Sequence, residues 1–168
     1  LREYYLLSTC NRVELTNDCV VDVDDDPDAP DANWAVADSN NTNTEIRLSF
    51  GTPASSPVPG TDLQEFRALV RQFDTNQTGT PTARIELWED GVLVRAGEDK
   101  TVSGAGQVIK FTWDAGELGT TDGSLVEVRV VGTKIGGNPD LRNSVDVGAV
   151  EWNVTYAEPG GGEATDCS

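Results

Sequence analysis

The residues of this chain most able to do chemistry are carboxylates, and six of them crowd into one stretch. Asp22, Asp24, Asp25, Asp26, Asp28 and Asp31 fall within ten positions. Acids at 22, 24 and 26 imitate the opening of an EF-hand loop, which takes oxygen ligands at that spacing. The pattern then departs. Pro27 stands where such a loop turns on glycine, and Asn33 where it closes on glutamate. Two readings stay open: an irregular Ca²⁺ loop using Asp22, Asp24, Asp26 and Asp28, or a solvated acidic loop whose prolines fix its path. Calcium is the one cofactor the sequence raises, and none is required for folding.

Thiols are the second kind of reactive group. Cys10 and Cys19 are spaced to close a short disulfide loop, worth roughly 2–3 kcal/mol, while Cys167 is left over in a Gly-rich tail. Three reduced thiols are the equal alternative. Aromatic platforms are the third kind. Of Trp34, Trp88, Trp113 and Trp152, only Trp88 falls on the polar face of its strand, beside Arg84 and Glu86, where it could touch a glycan. The other three read as core.

Composition narrows the chemistry. The chain has 168 residues, with 12 Lys and Arg against 29 Asp and Glu, a formal charge of −17. Such a surface repels phosphate backbones and anionic headgroups, so neither nucleic acid nor a membrane is expected as partner. No apolar run reaches the length of a membrane helix. There is no histidine, which removes Ser-His-Asp and Cys-His catalysis and the commonest transition-metal ligand sets. No two glutamates share an inward strand face among aromatics, as a glycosidase would need. The expectation is therefore a protein that is not an enzyme.

The elements that must position these groups are strands. Ala83–Gly97 reads ARIELWEDGVLVRAG, two runs alternating apolar and polar residues around Asp90-Gly91. Asp-Gly between such runs predicts a type I′ hairpin, whose central residues both need positive φ. Alternation also predicts strands at Trp34–Asp38, Thr44–Phe50, Gln107–Trp113, Leu125–Val131 and Val145–Tyr156. Thr61–Phe73 fits a helical spacing as well as a strand, and its all-β neighbourhood decides for strand. Ile85, Leu87, Phe111, Val128, Val130, Val150 and Trp152 are the expected core. Both sheets are expected to show one face to water. Leu1 to Val23 reads as an N-terminal arm too short for its own core. Leu1, Tyr4, Tyr5, Leu6 and Leu7 would pack on the main domain or on a neighbouring subunit. Residues 24–157 form the domain, and residues 158–168 a flexible Gly-rich tail. The fold class is all-β: an antiparallel jelly-roll-like sandwich of about eight strands, with arm and tail.

The stretches DDDPDAPDANW, TEIRLSF, EFRALVRQF, ARIELWEDGVLV, FTWDA, VEVRVVGTK and VDVGAVEWNVTY carry a wider likeness. From about Asp24 to Tyr156 the chain resembles a jelly-roll-like domain that recurs in tailed-phage and prophage proteins and in environmental sequences. The resemblance implies an eight-stranded sandwich on a virion or extracellular surface, with no active-site residues to carry over. Two functions follow as expectations. One is a structural or decorating subunit of a phage particle or extracellular filament, assembling with other copies or other virion subunits through its N-terminal arm. The other is a carbohydrate-binding module that holds glycan on exposed aromatics, with calcium as a structural ion.

Overall fold

The computed structural model describes residues 2–5, 7–13, 26–29, 33–37, 39, 43–51, 57–58, 61–102, 104, 106–119, 125–135 and 143–156, of which 2–5 and 7–13 by their backbone. Ten strands lie among them: β1 (Arg2–Tyr5), β2 (Leu7–Val13), β3 (Thr44–Phe50), β4 (Leu63–Gln72), β5 (Thr82–Glu89), β6 (Val92–Ala96), β7 (Lys100–Thr101), β8 (Gln107–Asp114), β9 (Val126–Thr133) and β10 (Val145–Thr155). A single 3₁₀ turn, Ala115–Glu117, follows β8. The strands form two antiparallel sheets, one ordered β1-β10-β4-β8 and the other β2-β3-β9-β5-β6, with β7 paired to β5.

Alternation explains the sandwich. Along β3 every second residue from Thr44 to Phe50 is buried, and β9 repeats the pattern from Val126 to Gly132. Their inner faces meet Phe66, Ala68 and Val70 of β4 and Val150, Trp152 and Val154 of β10. The centre is aromatic. Phe50 of one sheet packs edge-on against Trp152 and Phe66 of the other, at ring separations of 5.3 and 5.9 Å, and Trp113 lies 5.2 Å from Trp152. Burying one such side chain contributes about 2–3 kcal/mol. The Trp152 indole N–H is itself satisfied, donating to Gln64 Oε1 at 2.9 Å. All seven residues expected in the core are buried.

The hairpin forms as its sequence dictates. Asp90 and Gly91 take φ of 48° and 73°, the two positive values of a type I′ turn. Thr61–Phe73 is resolved as strand β4, and its spacing is overridden by pairing on both flanks, to β10 and to β8.

Two expectations are corrected, and a third is narrowed. Residues 34–37 form no ladder strand. They hold isolated bridges, at Ala35 and Ala37, the first to Val147, where β10 bulges between Val147 and Val150. Trp34 sits on that bulge because Gly148 has no side chain: a Cβ there would stand 3.0 Å from the indole ring.

The second correction concerns the four-stranded sheet, whose outer face is covered over β4 and β10 and open to water only toward β8, where Lys110 and Thr112 are exposed. Residues 26–29 and 34–37 lie across it, and its polar groups are buried beneath them. Arg67 is held between Glu151, at 3.0 Å, and Asp28, at 2.5 Å. Asp146 accepts from the Ala37 N–H and from Arg71, each at 2.9 Å, and Arg71 lies 4.1 Å over the Trp34 ring.

The third is the arm. β1 pairs with β10, Arg2 opposite Thr155 through Tyr5 opposite Trp152. β2 pairs with β3, Leu7 opposite Phe50 through Val13 opposite Glu45. Residues 2–5 and 7–13 are thus edge strands of the chain's own two sheets: of the two packings expected, on the main domain or on a neighbour, the first is the one seen. Tyr4, Tyr5 and Leu7 belong to these strands, while Leu1 and Leu6 lie outside the described residues, as do residue 157 and the tail 158–168.

Candidate functional site at the open sandwich edge

At one edge of the sandwich the terminal strands are β1 and β2. The opposite edge is where the last strand of each sheet, β8 and β6, face each other. Arg95 spans the gap. It pairs with Leu87 in the β5–β6 ladder, which directs it inward. Its guanidinium lies 4.5 Å over the Phe111 ring, donates to the Thr112 carbonyl, and reaches both oxygens of Glu117 at 2.8 and 3.3 Å.

The bridge divides the edge into two hollows that share Thr112. The first, of about 390 Å³, is acidic: Thr61, Asp62 and Leu63 at the start of β4 face Trp113, Asp114 and Glu117 at the end of β8. Register explains the meeting, since Leu63 lies opposite Asp114. Backbone hydrogen bonds hold the carboxylates. The Val58 N–H donates to Asp62 at 2.6 Å, the Gly116 N–H to Asp114 at 2.7 Å, and the Asp114 N–H to Glu117 at 3.0 Å. The last two form a capping box that fixes the 3₁₀ turn. Trp113 is buried, and its indole N–H has no hydrogen-bond partner.

The second hollow, of about 300 Å³, is basic. Arg84, Arg95, Lys100 and Lys110 line it over a floor of Ile85, Ile109 and Phe111. These are four of the twelve cationic residues in a chain of charge −17. Arg84 pairs with Glu86 and Asp99, and Lys100 with Glu98 at 2.6 Å. The Lys100 ammonium holds the Glu98 carboxyl below its usual range, by hydrogen bond first and charge second. The floor is reached because residue 97 is glycine: a Cβ there would stand 2.9 Å from the Phe111 ring and 3.1 Å from the Ile85 carbonyl.

The residues singled out by sequence lie elsewhere. Asp26 and Asp28 share a turn in which the Asp28 N–H donates to the Asp26 carboxylate, and Asp28 is engaged by Arg67. Asp22 and Asp24 lie outside the described residues, among which no three acids, histidines or cysteines gather as a metal-holding group. Trp88 is half-buried on the outer face of the six-stranded sheet. Its N–H donates to Glu86 at 2.9 Å and Arg129 covers one ring face at 3.6 Å, so it is not a bare platform. Cys10 lies in β2, and Cys19 and Cys167 lie outside the described residues. Sequence reasoning missed both hollows. The one available signal was the cation-rich run Arg95 to Lys110 in so acidic a chain.

No protein-family model and no curated protein matches the chain. Solved structures do. A cyclase from Fischerella sp. TAU, crystallised with 4-(1H-indol-3-yl)butan-2-one, matches over 92% of this chain and 90% of its own, at 12% identity and a TM-score of 0.50. Another crystal structure of a cyclase from the same source covers 77% of this chain and 67% of its own, at 14% identity and TM-score 0.47. The CBM22-1 xylan-binding domain of Paenibacillus barcinonensis Xyn10C covers 74% and 81%, at 8% identity and TM-score 0.40. At such identities the likeness is one of fold: a β-sandwich. It overturns one expectation. The chain was expected not to be an enzyme, yet its fold, along nine-tenths of its length, is one that a cyclase uses. A sandwich architecture therefore does not argue against catalysis.

Proposed function

We propose that the chain binds a hydroxyl-rich, carbohydrate-like ligand along the open edge, across the two hollows. One observation carries this reading: carboxylates crowd one hollow, four cations against Glu98 line the other over a partly apolar floor, and the Arg95–Glu117 pair stands between them. A sugar hydroxyl both donates and accepts, and neighbouring hydroxyls suit paired carboxylate oxygens and guanidinium forks. A hydrocarbon would leave the charged groups desolvated without partners. The edge groups are anchored by backbone bonds and by the capping box, which lowers the ordering cost of binding. Glycan adhesion at a particle or extracellular surface is the setting that suits so acidic a module. Assembly through the N-terminal arm has less to support it, because residues 2–5 and 7–13 are paired within the chain.

A titration of isotope-labelled protein with a glycan panel tests this. Amides of Gly97, Thr112 and Asp114 should shift together and saturate. Shifts confined to the Trp88 face, or none at millimolar glycan, would sink the edge reading.

A second reading is favoured by one feature of the same site, the convergence of Asp62, Asp114 and Glu117 on one hollow. Carboxyl groups so placed can exchange protons with a bound ligand, as general acid–base catalysis requires. Product analysis after long incubation with each bound glycan separates turnover from binding.

A further inference from the structure

The basic hollow narrows the class of ligand. We infer that it takes the carboxylate of an acidic sugar, so that the ligand is a uronic-acid oligosaccharide; this rests on the reading of the edge as a sugar site. A third of the chain's cations line this one hollow, although the chain as a whole repels anions. Their existing partners do not use them up. Among the described residues, none makes a hydrogen bond or ion pair with the Lys110 side chain. Lys100 pairs with Glu98, 85% exposed, and Arg84 meets Asp99, 54% exposed, through the side of its fork not held by buried Glu86. Exposed pairs of this kind are weak and exchange readily for a better anion. Arg95 stays with Glu117, while Lys110 supplies a point charge and Arg84 offers the Nη1 that now meets exposed Asp99. The long-range repulsion from the net charge is screened beyond about 8–10 Å at physiological salt, whereas these cations act at contact.

The experiment compares oligogalacturonate with its carboxyl-reduced neutral counterpart by calorimetric titration, on the native chain, Lys110→Gln and Lys110→Arg. The native chain should prefer the acidic form by about tenfold or more, and the preference should shrink as salt rises. Lys110→Gln should collapse the ratio of the two affinities toward one, and Lys110→Arg should keep it. Lys110 is exposed and unpaired, so neither change disturbs the core. Equal affinity for the two forms, or a preference that survives in Lys110→Gln, overturns the inference and leaves the edge reading standing. Binding of neither form overturns both.

Discussion

The guanidinium of Arg95 lies 4.5 Å over the ring of Phe111, joining a strand of the six-stranded sheet to the edge strand of the other. The same group fixes Glu117 and the Thr112 carbonyl. It is thus the latch of the open edge and the wall between its two hollows.

Arg95→Ala should therefore act twice. The stacking and a half-exposed ion pair together are worth about 1–2 kcal/mol, so denaturant melts should show a loss of that order. Glycan affinity should fall as well, because the two hollows merge. Arg95→Lys keeps charge but neither the fork nor the planar stack, and should recover only part of either. An unchanged melt and unchanged affinity would remove Arg95 from the latch role.

Glycines at close approaches give a second test. Gly97→Ala would push a methyl into Phe111 and the Ile85 carbonyl, and Gly132→Ala would set one 2.6 Å from Val145 Cβ and against Thr44. Each should cost about 1–3 kcal/mol by overpacking. Gly91→Val should cost about 1 kcal/mol or more for a different reason, the positive φ it must hold. Thermal melts that leave all three at the native midpoint would contradict the packing described.

The buried face of the four-stranded sheet supplies a third. Arg67 is nearly inaccessible, with Glu151 and Asp28 as partners and its Nε unpaired. Arg67→Ala should destabilise by about 3 kcal/mol or more, because Glu151 would keep a buried charge without its counter-ion. Arg67→Ala paired with Glu151→Ala should cost less than the sum of the two single changes. Additivity in that double-mutant cycle would refute the coupling.

Asp146 predicts a pH dependence. Burial raises its pKa above the ordinary carboxylate value, only partly offset by the Ala37 N–H and Arg71. The folded state then holds its proton more tightly than the unfolded chain. Its contribution is most favourable below the ordinary carboxylate pKa and declines as pH rises toward the raised folded value. The stability of the native chain minus that of Asp146→Asn should accordingly shrink between about pH 4 and neutrality. A difference that grows with pH would reverse the assignment.

Local chemistry was legible in the sequence wherever two or three residues settle a conformation. Asp90-Gly91 specifies its turn through φ alone, and the inward register of β5, β8, β9 and β10 follows from alternation. What escaped depends on partners far along the chain. The acids near Asp28 left a cation site and a solvated loop both open, because Arg67 could not be placed beside them. The N-terminal residues read as an arm because their partners are β10 and β3. Neither hollow shows as a motif, since each is assembled by register between distant strands, Leu63 against Asp114 and Arg95 against Leu87.

The pairing of Arg2 with Thr155 has a consequence for how the protein is made. During synthesis β1 emerges about 150 residues before the strand it pairs with, which at ribosomal rates is a wait of roughly ten to thirty seconds. β2 meets its partner β3 much sooner. Through that interval β1 is an unsatisfied strand edge, open to capture by another nascent chain on the same message. Cells making this protein therefore face a race between the arrival of β10 and encounter with a neighbour. Slower translation of the second half of the message would lengthen the period at risk.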